Sequence, residues 1–203
     1  MKAVFGLGNP GDEYRGTRHN AGFEVADELI RRKGWGEERE KRSTFGGQTV
    51  RYRYALKGGL TVAVKPLTFM NASGSAFTAA LKDFGIEAAD ALVIADDVSL
   101  PLGKLRLRPG GSSGGQKGLE DVLNMSGTDQ IARLRFGVGA RLQDEKPSGE
   151  KLPADLAGYV LAKFDKDEQK ILAESIARAA DAAELWTERG IEAAMNRFNG
   201  IES

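Results

Sequence analysis

Apolar and polar residues recur with two different periods along this chain, and the switches between them outline its elements. Ala3-Val4-Phe5-Gly6-Leu7 is a short apolar run, the pattern of a buried strand. After a turn-rich stretch, Ala21, Val25, Ala26, Leu29 and Ile30 repeat at helical spacing. Asn20 stands where an N-cap is expected, Arg31-Arg32-Lys33 suit the C-terminal dipole, and Gly34 closes the helix. Val50, Tyr52, Tyr54 and Leu56 alternate with Arg51, Arg53 and Ala55, which predicts a half-exposed strand. Lys57-Gly58-Gly59 turns it into a partner strand over 60–65, ended by Pro66. Next, Asn71 is placed to cap a helix carrying Ala76, Phe77, Ala80, Leu81 and Phe84, with Gly85 as its stop.

Ala91-Leu92-Val93-Ile94-Ala95 is apolar throughout, as in a strand buried on both faces, and ends at Asp96-Asp97. Leu105 and Leu107 alternate with basic residues. A short helix carries Leu119, Val122 and Leu123, and Leu134, Phe136 and Val138 alternate as another strand. The polar stretch 141–155, with Pro147, Gly149 and Pro153, predicts a mobile loop. Asp165 and Glu168 form a capping box ahead of a helix from Ile171 to Trp186, which Gly190 breaks before a last amphipathic turn with Met195 and Phe198. Alternating strands and helices give an α/β class, read as one three-layer α/β/α domain over residues 1–203 around a twisted mixed sheet. Ligands of such sheets sit beyond the C-terminal strand ends. The loops after Leu7, Lys65, Ala95 and Arg108 are therefore the ones to examine.

Composition narrows the chemistry. With no cysteine among 203 residues, disulfides, thiolate metal sites and a cysteine nucleophile are excluded. A single histidine excludes a multi-histidine metal site. Lys+Arg and Asp+Glu are both 29, so bulk charge advertises neither a nucleic-acid binder nor a membrane binder. No run approaches a membrane span, and Ala3-Val4-Phe5 is too short for a signal-peptide core. The expectation is a cytoplasmic protein, monomeric by default. Glycine is in excess, 26 residues, and clustered.

Gly6-Leu7-Gly8-Asn9-Pro10-Gly11 fits the dinucleotide fingerprint literally, but helical periodicity begins only near Asn20, and Asp12-Glu13 would oppose a pyrophosphate. His19 ends the same Gly-rich stretch. An imidazole titrates near pH 6.5 in water and so can act as a base, provided something orients it. Asp96, at the end of the most buried strand, is the leading candidate and Asp97 the alternative. Asn9 and Asn71 each stand next to a loop, where a side-chain amide can donate to an oxyanion or simply serve a turn or cap. The loop 109–118 holds five glycines and no bulky side chain, which suits close approach to a phosphate or ribose. Around it Lys104, Arg106, Arg108, Lys117, Arg133, Arg135 and Arg141 outnumber Glu120, Asp121 and Asp129, a modest footprint for a polyanion.

These residues resemble the bacterial-type peptidyl-tRNA hydrolase family. Gly6-Leu-Gly-Asn-Pro-Gly11, Tyr14 and Thr17-Arg-His-Asn20 look like its opening, and Lys65-Pro-Leu-Thr-Phe-Met-Asn-Ala-Ser-Gly74 resembles its second signature. Asp96, Leu100-Pro101, Gly103, Arg133–Gly139 and Ala193–Phe198 also match, so the resemblance runs from about residue 2 to 199. It implies an esterase that frees tRNA from a nascent peptide at the 3'-terminal ribose, with no cofactor, no metal and no protein partner. His19 would activate water, Asp96 would hold its basic form, and Asn9 would help tell blocked from free aminoacyl groups. Tyr14, Phe69, Met70, Asn71, Gly114 and Lys117 would contact the acylated tRNA end. Two places depart from the pattern. Gln116-Lys117 stands where the family commonly has His-Asn. Ala95 and Asp97-Val98-Ser99 replace the usual His and Glu-Leu-Asp. Lys117 can only donate, so a contact needing an acceptor is lost and a phosphate contact could replace it.

Overall fold

The computed structural model describes residues 1–139 and 155–200. Its strands are β1 (Lys2–Gly6), β2 (Arg39–Phe45), β3 (Gln48–Lys57), β4 (Thr61–Pro66), β5 (Ala91–Pro101), β6 (Leu105–Arg108) and β7 (Ala132–Gly139). Its helices are α1 (Ala21–Arg31), α2 (Ser73–Phe84), α3 (Lys117–Ser126), α4 (Leu156–Leu161) and α5 (Gln169–Phe198). The strands make one sheet in the order β2-β3-β4-β1-β5-β7-β6. The inner four are parallel; β3 and β6 run antiparallel to them, and β2 pairs antiparallel with β3 at the edge.

Strand alternation sorts the core into two layers. Val4, Leu92, Ile94, Leu134 and Phe136 pack on α1 and α5, while Phe5, Val62, Val64 and Val93 pack on α2 and α3. Each fully enclosed Val, Leu, Ile or Phe contributes roughly 1.5–3 kcal/mol. This is the expected three-layer α/β/α arrangement. One correction concerns β7. Its Leu134, Phe136 and Val138 alternate toward α1 and α5, yet almost every other residue is buried too, because Arg133 lies under the Gly-rich loop and Gly137 and Gly139 lie against backbone of residues 98–104. β5 also runs six residues past Ala95, carrying Asp96 and Asp97 within the strand.

The N-terminal glycines serve packing. A Cβ on Gly6 would strike the Gly22 carbonyl, and one on Gly22 would strike the backbone of Leu7, so α1 lies directly against β1. Between them the chain forms two short 3-10 turns, Asp12–Tyr14 and Arg18–Asn20, where a dinucleotide motif would open a helix. Asn20 does occupy the N-cap position of α1, but its side chain makes no cap bond there. Asn71 is not a cap either. It lies inside a 3-10 turn, Met70–Ala72, ahead of α2. The Glu168 carboxylate accepts from the Asp165 N–H, as the capping box requires, and Gly190 (φ 82°) interrupts α5.

The sequence pattern does not anticipate β2, a charged edge strand, or α4. The predicted mobile loop at 141–155 and Arg141 lie outside the described residues, except Asp155, the N-cap of α4. At the other edge, Asn199 meets Leu107 of β6. Its Oδ1 accepts from the Leu107 N–H at 2.7 Å, and its Nδ2 donates to the Leu107 carbonyl at 3.1 Å. β1 leads into α1 on one face and β4 leads into α2 on the other, so a crevice opens beyond their C-terminal ends.

Candidate active site

That crevice is a cleft of about 650 Å³. Three of the four loops singled out by the sequence enter it directly. Asn9 and His19 follow β1, Phe69, Met70 and Asn71 follow β4, and Asp96 to Ser99 come from β5. The fourth loop needs a correction. β6 is antiparallel to β7, with Arg108 opposite Arg133, so the loop starts at the far end of the sheet. Only Ser113 to Lys117, its later part, reaches the cleft.

At the cleft floor His19 Nδ1 lies 2.8 Å from Asp96 Oδ2. Asp96 is 4% exposed. An ionised carboxylate only accepts, so the proton sits on Nδ1 and the Nε2 lone pair is left for a proton in the cleft. Asp97, the alternative partner, is engaged elsewhere. It pairs with Arg135 Nε at 2.6 Å and accepts from Ser99.

A relay of short polar side chains surrounds the pair. Asn20 Oδ1 accepts from the Asn9 N–H (2.8 Å), and Asn20 Nδ2 donates to the Asn9 carbonyl (3.0 Å). Asn9 Oδ1 in turn accepts from the Met70 N–H at 2.8 Å. That bond fixes which end of the Asn9 amide is oxygen and leaves its NH₂ as a donor at the cleft. Gln116 Nε2 donates to Asp96 Oδ1 at 2.9 Å and touches Met70 Sδ, while its Oε1 accepts from the Leu119 N–H as the N-cap of α3.

The opposite wall is apolar: Leu156, Ala157, Val160 and Leu161 of α4. Arg18, 5% exposed, anchors it. Its guanidinium forms two bonds to Glu168 (3.1 and 2.8 Å) and lies over the rings of Tyr159 and Phe164. The Arg18 N–H also donates to the Ala162 carbonyl, and Tyr159 OH donates to Val138. Burial pushes the Tyr159 hydroxyl pKa up, so it stays a neutral donor.

The other predicted residues divide. Phe69, 58% exposed, and Asn71 line the cleft. Tyr14 does not line it and instead meets the Phe69 ring edge-on at 6.4 Å. Lys117 and Gly114 line it. Gly114 has φ 63°, and a Cβ there would sit 3.0 Å from Arg135 Nη2. Arg133 is a correction to the basic footprint. It is buried and donates to the carbonyls of Gly111, Ser112, Asp129 and Ile131, pinning the Gly-rich loop. Arg135 is held by Asp97. Lys104, Arg106, Arg108 and Lys117 remain as the outward cations of that region. The sequence does not mark Gln116 or Arg18 as builders of the site. The one signal in the sequence is the departure of Gln116 from the family pattern. Among the described residues no three His, Asp or Glu side chains gather closely enough to hold a metal ion.

A histidine–carboxylate pair beside a free amide donor, at the switch point of an α/β sheet, is equipped for water-mediated acyl chemistry. Comparison with known proteins is consistent with that class. The family model for peptidyl-tRNA hydrolase matches residues 3–203, and the chain belongs to that family. It is 41% identical to the peptidyl-tRNA hydrolase of Chlorobaculum tepidum over 203 residues and 42% identical to that of Elusimicrobium minutum over 205. The alignments cover 98% of this chain and 98% and 99% of those proteins. The crystal structure of peptidyl-tRNA hydrolase from Acinetobacter baumannii is similar throughout, with a TM-score of 0.76 at 29% identity, covering 100% of this chain and 96% of that one.

Proposed function

We propose that this member of the peptidyl-tRNA hydrolase family cleaves the ester of peptidyl-tRNA with a water activated by His19. The activity itself, hydrolysis of peptidyl-tRNA with recycling of the tRNA, is that of the family. The observation carrying the mechanism is the 2.8 Å contact between His19 Nδ1 and Asp96 Oδ2 at the cleft floor. His19 Nε2 takes a proton as the water oxygen attacks the ester carbonyl. The Asn9 amide donates to the developing oxyanion, and Asp96 holds the imidazolium. Collapse of the tetrahedral intermediate expels the ribose oxygen, which takes the proton back from Nε2. The products are a peptide carboxylate and tRNA.

The acylated end would lie across Phe69, Met70 and Asn71, with the peptide along the apolar wall of α4. Tyr14 acts through Phe69. Lys117 and Gly114 face the nucleotide side, with Lys104, Arg106 and Arg108 toward phosphates. The same reading takes the protein as a cytoplasmic monomer. Among the described residues no helix is long and apolar enough to cross a membrane.

The test is release of peptide from an N-blocked peptidyl-tRNA, beside an unblocked aminoacyl-tRNA. The protein should act selectively on the first. His19→Ala should lose roughly 10²–10⁴ in kcat and still bind tRNA. Near-native turnover by that variant ends the mechanism.

A further inference from the structure

We infer that Gln116 is a positioning residue for this reaction, a second hold on Asp96 that keeps its carboxylate turned toward His19. The inference rests on the His19–Asp96 reading above and goes beyond it. Each oxygen of Asp96 has its own partner: Oδ2 meets His19 Nδ1 at 2.8 Å and Oδ1 accepts from Gln116 Nε2 at 2.9 Å. A carboxylate held at one oxygen can still swing about its Cβ–Cγ bond; held at both, it is fixed in plane.

The orientation of the Gln116 amide follows from its neighbours. The Leu119 N–H can only donate, at 2.6 Å, so the group facing it is Oε1. Asp96 can only accept while ionised, so the group facing it is the NH₂. Fixing α3 and fixing Asp96 are therefore one act of one side chain. Its second contact, with Met70 Sδ at 3.2 Å, ties in the residue whose N–H holds Asn9. The polar wall is thus a connected run from Asn20 to His19.

An amide also carries no titrating proton. Its donation to Asp96 is the same at every working pH, and only the ionised form of Asp96 benefits. The charged groups lining the cleft around this contact are His19 from the turn ahead of α1, Asp97 with Arg135 from β5 and β7, and Lys117 from α3. The turn 69–71 and α4 contribute none to that lining.

Gln116→Glu separates the two jobs. A carboxylate can still accept from the Leu119 N–H, so the cap and the fold are retained. Its other oxygen faces Asp96, and two carboxylates that close cannot both stay ionised. At acid pH the introduced group is protonated and still donates. As pH rises the donor disappears and repulsion replaces it. The ratio of variant to native kcat should therefore be near one at pH 5.5 and fall on the order of ten-fold by pH 8, with KM little changed. Gln116→Ala should lose a similar factor at all pH values and also lower Tm through the lost cap.

His19→Ala and Asp96→Asn are measured alongside. If both collapse kcat while the Gln116→Glu ratio stays flat with pH, the role of Gln116 is overturned and the mechanism stands. If Asp96→Asn leaves kcat unchanged, the mechanism fails and this inference with it.

Discussion

The polar wall of the cleft is a relay of hydrogen bonds between short side chains, running from Asn20 through Asn9, Met70 and Gln116 to Asp96. The apolar wall, α4, is anchored by one guanidinium, that of Arg18, which grips Glu168 and lies over the rings of Tyr159 and Phe164. The first distributes its hold over many modest bonds, each worth about 1 kcal/mol. The second concentrates it in one buried ion pair, which is costly to break on one side only. Loss of a single relay member should leave a wall that still stands but aims poorly. Loss of Arg18 should release the wall itself.

The largest effect follows from that asymmetry. Arg18→Met leaves the half-buried Glu168 carboxylate without its ion-pair partner and should cost about 3 kcal/mol, a fall in Tm of roughly 6–12 °C. Adding Glu168→Leu should recover much of it. A single variant as stable as the native protein in thermal denaturation would show that the pair does not hold the wall. On the relay side, Asn20→Ala removes both bonds that hold the Asn9 peptide and should cost about 1–3 kcal/mol. Its kcat should fall more than its KM rises, because Asn9 loses its aim. Equal changes in both would place Asn20 in binding instead.

Lys117 tests the open end of the polar wall. Lys117→Gln should weaken tRNA binding at low salt and flatten the plot of log affinity against log salt by about 0.7, the value for one single-strand phosphate contact. The smallest effect is expected far from both walls. Burial raises the Glu184 pKa, but bonds with Lys57 and Arg32 outweigh it and hold the carboxyl below its ordinary range. A group depressed by folding stabilises above its unfolded pKa and loses that contribution as pH falls through its folded one. Glu184→Gln should therefore lower Tm at pH 7, with the gap closing below about pH 4 and kcat untouched. A constant gap down to pH 3 would contradict the assignment.

Much of this was legible in the chain. Apolar runs marked the central strands, and a lone histidine beside glycines pointed to the cleft. What escaped did so for physical reasons. Arg133 counts as a surface cation in any tally of charge, because a sequence does not say that the Gly-rich loop folds over that face of β7 with carbonyls that await a donor. Asn20 and Asn71 look like caps because asparagine favours caps; in the structure one clasps Asn9 and the other faces the cleft. The resemblance located Gln116 as a departure, but its bond to Asp96 spans 20 residues and no local spacing announces it.

The pairing of Asn199 with Leu107 bears on how the molecule behaves in company. A side-chain amide has the same donor and acceptor as a peptide unit, and here it takes both groups that Leu107 would offer to a neighbouring chain. At that point of the edge the chain's own Asn199 holds the place, and a passing extended peptide cannot pair with Leu107.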